Sequence, residues 1–298
     1  MKKYFYVLLI LICNNSSAQK LTEMADSLRD EGKLKEAIDL YKKISDDTIA
    51  AYYKLSKAFS LVHEVDSAYK YLSLSLKNDS TILVLNEPDF ISIIDDKRWE
   101  DIEKRQIAKT ELKYGKYKNL ELARTLWRLK MKDQAYYYHI KIAEDKLGVY
   151  SAVALALWDI KNILNKDNSA KIEEIINERG WPKFSEVKGS AAQTAFFIIQ
   201  HSELKKQKVY IEKLQNACKQ NEANWADYAL MYDRIQIGEG KKQLYGSQLR
   251  FSKTSNKYEL FPIEDEQNLN KRRKDIGLEK MSEYVKQWGL KYDVPQNE

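Results

Sequence analysis

Cysteine, histidine, proline and glycine are all scarce in this chain. Its 298 residues include 2 Cys, 3 His, 4 Pro and 10 Gly. So few turn formers exclude a many-stranded β architecture and favour long helices. Only Cys218 lies beyond the first twenty residues, so no internal disulfide is expected despite the export signal described below. It falls in the helical run Ile211, Leu214, Ala217, Cys218 and reads as a small buried apolar residue. His63, His139 and His201 have no HxxxH spacing and no cysteine cluster beside them, so neither a metal nor a cofactor is expected. A glycine-rich phosphate loop and a GxSxG elbow are also missing. Lys and Glu are interspersed, and KRRK at 271–274 is the one basic cluster, so the net charge of +6 does not point to nucleic acid.

What is present is an export signal followed by helices. The opening MKKYFYVLLILICNNSSAQ has two lysines, a short apolar run from Tyr4 to Ile12, and small Ser16 and Ala18 before Gln19. That is a signal peptide over 1–19, and its apolar run is about half a bilayer span. A periplasmic or secreted protein without a stable membrane span is expected. A lipoprotein at Cys13 is disfavoured because bulky Ile12 precedes it.

Residues 20–105 read as helical hairpins with a capping segment. Leu21, Met24, Ala25 and Leu28 form one stripe, and Ala37, Tyr41 and Ile44 a second after Gly32. The pattern returns 31 residues later, with Tyr52 and Phe59, then Ala68 and Leu72. These hairpins resemble tetratricopeptide repeats, which implies binding of a protein or peptide partner. Phe90, Ile93, Ile94 and Trp99 are expected to cover the open end of the stack. The charged segment 100–118 reads as a boundary; if helical, it has a solvated face at Ile102, Gln106 and Lys109.

Residues 119–290 read as a mainly helical domain carrying one β-hairpin over 242–263. LELARTLWRLKMKDQAYYYHIKIAEDKLG is one helix or two, and Tyr136, Tyr137 and Tyr138 suggest a packed groove or a sugar platform. SAVALALWDIKNILNKDN is apolar enough to be a buried helix. A separate helix then starts at Asn168 or Ser169 and stops at Gly180. In the hairpin, LYGSQLRF alternates correctly only if Gly246 marks a bulge. Leu244, Leu249 and Phe251 then face the core, while Gln243, Tyr245, Gln248 and Arg250 share the other face. Asn268 is expected to cap a helix that Gly277 ends, with a last helix running to Trp288. The fold class is therefore mainly α.

GWP at 180–182, QH at 200–201, DR at 233–234, QLYGSQ at 243–248, PIED at 262–265 and the RR of 272–273 are not explained by periodicity. Together they resemble an uncharacterised bacterial domain-of-unknown-function family, with Ser247 where that family has threonine. The resemblance implies a domain but no reaction. It points to a polar set at element ends, where sites are commonly assembled. His201 is a candidate general base, a ligand contact or a structural residue, with Asp233 or Asp265 as its orienter. Arg234, Gln243, Tyr245, Gln248, Asp265 and Arg273 are candidate contacts for a small polar or anionic ligand, and Arg234 is expected to pair with a carboxylate such as Asp265. Arg273 is favoured over Arg272 for the hairpin because adjacent helical residues diverge. Two readings follow: an exported interaction protein, or an exported hydrolase using His201.

Overall fold

The computed structural model describes residues 19–44, 49–252 and 254–297. The signal-peptide reading over 1–19 falls almost wholly outside them. Among the described residues the chain is mainly helical with one two-stranded antiparallel sheet. It divides into two compact units, one of residues 1–116 and 130–164, the other of 117–129 and 165–298. Among the described residues no helix is long and apolar enough to cross a membrane.

The first unit begins with two helical hairpins. Helix α1 (19–30) turns into α2 (Leu34–Ile44), and α3 (Ile49–Leu61) into α4 (Val65–Ser75). Small Ala37 and Ala68 and large Tyr41 and Leu72 are fully buried at equivalent positions. The turns repeat as well. Gly32 N–H donates to Arg29 O and Lys33 N–H to Leu28 O; His63 N–H donates to Ser60 O and Glu64 N–H to Phe59 O. Both pivots are left-handed, Gly32 at φ +76° and His63 at φ +60°. Glycine suits Gly32 doubly, because a Cβ there would lie 2.8 Å from Ile142 Cγ2. His63 is exposed and gains nothing comparable from its Cβ. His63→Gly is expected to stabilise the protein by about 0.5–1 kcal/mol, read as a higher thermal midpoint. A lowered midpoint would show that the imidazole has a structural partner.

Val84, Leu85, Phe90, Ile93 and Trp99 are buried over the hairpins, and Ile94 is half-buried. The buried Asp89 is held there by Arg29 (2.5 Å) and Lys57 (3.1 Å). Segment 100–118 departs from the expected solvated face. Residues 100–114 belong to α5 (Lys97–Tyr114), whose Gln106 and Thr110 are buried. Gln106, Lys109 and Thr110 donate to the carbonyls of Asp79, Leu76 and Ser80, in the turn that follows α4. Met24, expected on the buried stripe, is half exposed.

The tyrosine run is packed. α6 (Leu120–Gln134) is followed by a turn in which Tyr136, at φ +70°, is the N-cap of α7 (Tyr137–Leu147). Tyr138 donates to Arg29 O and receives its guanidinium 4.9 Å above the ring. Tyr137 lies under the Lys161 ammonium at 4.4 Å. α8 (Ala152–Arg179) is one helix, not two. Asn168 is no cap: it is buried and donates to Leu129 O. Ser169 instead bonds Glu173. The helix stops where expected, at Gly180 with φ +81°.

In the second unit the core holds Trp127, Ile172, Ile176, Ile199, Leu214 and Met231. It is built with α9 (Phe184–Val187), α10 (Gly189–Ala192), α11 (Thr194–Gln200), α12 (Leu204–Lys219) and α13 (Trp225–Gly238). Cys218 is buried as expected, and burial pushes its thiol up to about 12. The hairpin β1 (Leu249–Ser252) and β2 (Lys257–Leu260) pairs Leu249 with Leu260 and Phe251 with Tyr258. α14 (Leu269–Asp275) and α15 (Met281–Tyr284) follow. Beneath them Ile263, Leu269, Met281 and Val285 form a small core.

Candidate functional site

The expected bulge is a complete reversal of the chain. Gln243 bridges Ile263 in parallel, whereas Leu249 pairs Leu260 antiparallel. Residues 244–248 therefore turn the backbone round between two pairings with the same strand segment. This overturns the face assignment made from alternation. Gln243 is fully buried, Phe251 is half exposed, and Leu244 is half-buried. Gly246 sits at the apex with φ +69°, where a Cβ would lie 3.0 Å from Met281 and 3.3 Å from Ile263.

A loop of this shape has no ladder of its own, so its backbone groups need other partners. Side chains supply them almost residue by residue. Asp233, on the buried face of α13, accepts from Leu244 N–H (2.7 Å), Tyr245 N–H (3.0 Å), Ser247 N–H (2.9 Å) and Ser247 Oγ (2.8 Å). Arg272 donates to Leu244 O at 3.0 Å, and Arg273 to Tyr245 O at 2.7 Å. Tyr284 donates to Ser247 O at 3.1 Å. Gln243 closes the loop by accepting from Gln248 N–H and donating to Gln248 O. Its amide also donates to Phe261 O. Gln248 donates to Leu230 O, tying the loop back to α13.

Two buried charges thus grip the loop, an anion by its N–H groups and a cation by a carbonyl. Burial holds the Asp233 carboxyl above the ordinary range, while its hydrogen bonds pull it down. Burial likewise lowers the Arg273 guanidinium, which also donates to Glu279 O and lies 4.6 Å over the Tyr284 ring. Both arginines reach the loop, contrary to the expectation that only Arg273 would. Their targets are successive carbonyls, and these follow the divergence of adjacent helical side chains. Arg272 also donates to Glu264 O and Asp265 O, and its guanidinium lies 3.5 Å from the Asp265 carboxylate.

The predicted residues consequently divide. Asp233, Gln243, Gln248, Asp265 and Arg273 belong to the loop network. Tyr245 joins through its backbone while its ring packs on Tyr228 and Tyr232 of α13. His201 and Arg234 are elsewhere: His201 follows α11, and Arg234, on α13, reaches the end of α11. His201 is exposed at its C-cap. Arg234 is not Asp265's partner but donates to Gln200 O at 3.3 Å, a carbonyl also bonded by Gln207. Asn268 is at the N-cap of α14 without a capping bond; it donates to Asp265 instead. Sequence reasoning passed over Ser247 and Tyr284. The hydroxyl that serine shares with threonine was the available signal for the first; nothing marked the second.

Among the described residues no group of three His, Cys, Asp or Glu is placed to hold a metal. A cavity of about 460 Å³ in the first unit is lined by Tyr53, Asp79, Leu83, Asn86, Glu87, Pro88, Lys130 and Gln134. No candidate from the sequence lies there.

Residues 124–294 match a family model described as "Family of unknown function (DUF6624)". No curated protein and no solved structure matches the chain.

Proposed function

From the premise that this chain belongs to that family of unknown function, we propose that it is an exported interaction protein. In this reading the tetratricopeptide-like hairpins and their capping segment bind a peptide, and the polar C-terminal set is a scaffold. One observation carries it: the polar side chains of Asp233, Gln243, Arg272 and Arg273 are spent on the loop's own backbone. The hydrolase alternative requires Asp233 or Asp265 to orient His201, yet Asp233 already receives four donors from the loop, and the Asp265 carboxylate is taken by Asn268 and Arg272. A buried network satisfied in this way rigidifies a fold and offers no polar group to a substrate. Export rests on the two lysines and the short apolar run at the start.

The cavity beside Tyr53 is the peptide site in this reading. Leu83 at its rim is 61% exposed, an apolar anchor available to a partner. Titration of the protein against a decapeptide library, followed by fluorescence anisotropy, should find micromolar binders. Leu83→Asp should weaken them about tenfold or more, as removal of an interface anchor does, and Gln248→Ala should leave them unchanged. Turnover of an ester, peptide or glycan that His201→Ala abolishes would overturn the proposal in favour of the hydrolase.

A further inference from the structure

Two features of the first unit play no part in the proposed peptide site. The apolar first half of α8, expected to be buried, leaves Val153, Leu155, Ile160 and Ile163 exposed, while Ala154 and Lys161 are buried. Apolar surface alone names no ligand. The second feature does, because its charge is of one sign. A cavity of about 280 Å³ lies between the end of α4 and α5, with buried Leu76 and Ile102 in its wall. Lys77, Arg105 and Lys109 line it, and no carboxylate does. A cleft with one sign of charge draws the opposite charge.

Only one of the three cations is spent on the fold. The Lys109 ammonium donates to the carbonyls of Leu76 and Lys77, at 2.6 and 3.2 Å, where a helix end is negative. Arg105 stands four residues after Asp101, the spacing of a helical ion pair. Its Nε donates instead to the Asp101 carbonyl at 3.1 Å. Its two terminal nitrogens and the Lys77 ammonium have no partner among the described residues. With these cations comes one acceptor. Gln106 lines the same cavity and is 1% exposed, and its Nε2 is fixed on the Asp79 carbonyl at 2.8 Å. That leaves Oε1 as an acceptor without a donor among the described residues. A bare oxyanion would satisfy the cations and not this oxygen. An anion that also carries a hydroxyl satisfies both.

We propose that this cavity binds a small polyol phosphate, with Arg105 and Lys77 on the phosphate and a ligand hydroxyl donating to Gln106 Oε1. The planar guanidinium fork matches two phosphate oxygens. A phosphate monoester carries roughly −1.5 to −2 charges at neutral pH, which balances the two unpaired cations. Size agrees as well. The cavity is at the lower edge of the roughly 300–1,000 Å³ of small-molecule sites, which suits a short polyol and not a nucleotide. The proposal stands whether or not the cavity beside Tyr53 binds peptide.

Isothermal titration calorimetry of the purified protein with glycerol 3-phosphate tests it. The account predicts a dissociation constant of about 1 mM or lower at low salt. Arg105→Gln and, independently, Lys77→Gln should each weaken binding about tenfold. Both residues are exposed, so both variants should fold, with unchanged far-UV circular dichroism. Lys271→Gln removes the same charge from the second unit and should leave the affinity unchanged. Ethyl phosphate has the charge and lacks the hydroxyls, and should bind about threefold or more weakly. No binding up to about 10 mM would overturn the proposal, as would binding indifferent to both Arg105→Gln and Lys77→Gln. An equal loss in all three variants would reduce the effect to net charge and overturn it too. So would ethyl phosphate binding as tightly as glycerol 3-phosphate.

Discussion

Asp233→Ala is expected to destabilise the protein by about 3–5 kcal/mol, the scale of removing one partner from a buried charged network. That is a large share of the stability of an ordinary domain. The loss has a specific origin. Three backbone N–H groups and the Ser247 hydroxyl converge on the carboxylate, and none has another carboxylate to turn to. Asp233→Asn should fall between, because the amide keeps one acceptor and points its own N–H groups at donors. The pH dependence has a definite sign. Burial raises the folded carboxyl above its unfolded value, so the folded state binds that proton more tightly. The stability it contributes then declines as pH rises from the ordinary carboxylate range through the folded value. The gap between wild type and Asp233→Ala in chemical denaturation should narrow over that interval. An unchanged denaturation midpoint in Asp233→Ala would show that the loop does not depend on it.

Arg273→Met should cost about 2–4 kcal/mol, by leaving buried carbonyls without a donor. The carbonyls are those of Tyr245 and Glu279, each 2.7 Å from the guanidinium. Methionine keeps much of the length over the Tyr284 ring, so the loss reports the polar contacts rather than packing. Arg272→Met is expected to cost less, since Arg272 bonds carbonyls nearer the surface that water can reach. Combined with Asp233→Ala, Arg273→Met should add less than its single cost, because both act on one loop. Full additivity in a double-mutant cycle would contradict a shared network.

The sequence made the helical architecture legible wherever one face was apolar at helical spacing. Ala37, Tyr41, Ala68 and Leu72 were readable because small and large residues recur 31 positions apart and are buried together. Gly180 was readable because a helix stop is local chemistry. Errors arose where a distant partner decided the outcome. Asn168 looks like a cap, but the carbonyl of Leu129, far away in sequence, takes its amide and the helix runs on. Gln106 and Lys109 look solvated, but the carbonyls of Asp79 and Leu76, in the turn after α4, recruit them. The stretch 243–248 is too short for alternation to distinguish a bulged strand from a reversal. Its glycine was rightly noticed as special, yet the reversal depends on Asp233, Arg272, Arg273 and Tyr284, which alternation ignores. The polar candidates were recognised as a set, and their common purpose was not, because burial decides whether an amide offers itself to a ligand or to its own backbone.

Native-state hydrogen exchange of the loop amides, with no ligand added, tests the scaffold account most directly. Leu244, Tyr245 and Ser247 N–H donate to Asp233, and Gln248 N–H to Gln243. If the signature residues are a scaffold, these four amides exchange as slowly as those of the second unit's core helices, opening only with it. Fast exchange of all four in a protein whose helices remain protected would contradict the account, and would mean that the loop is open and its polar groups are available to a ligand.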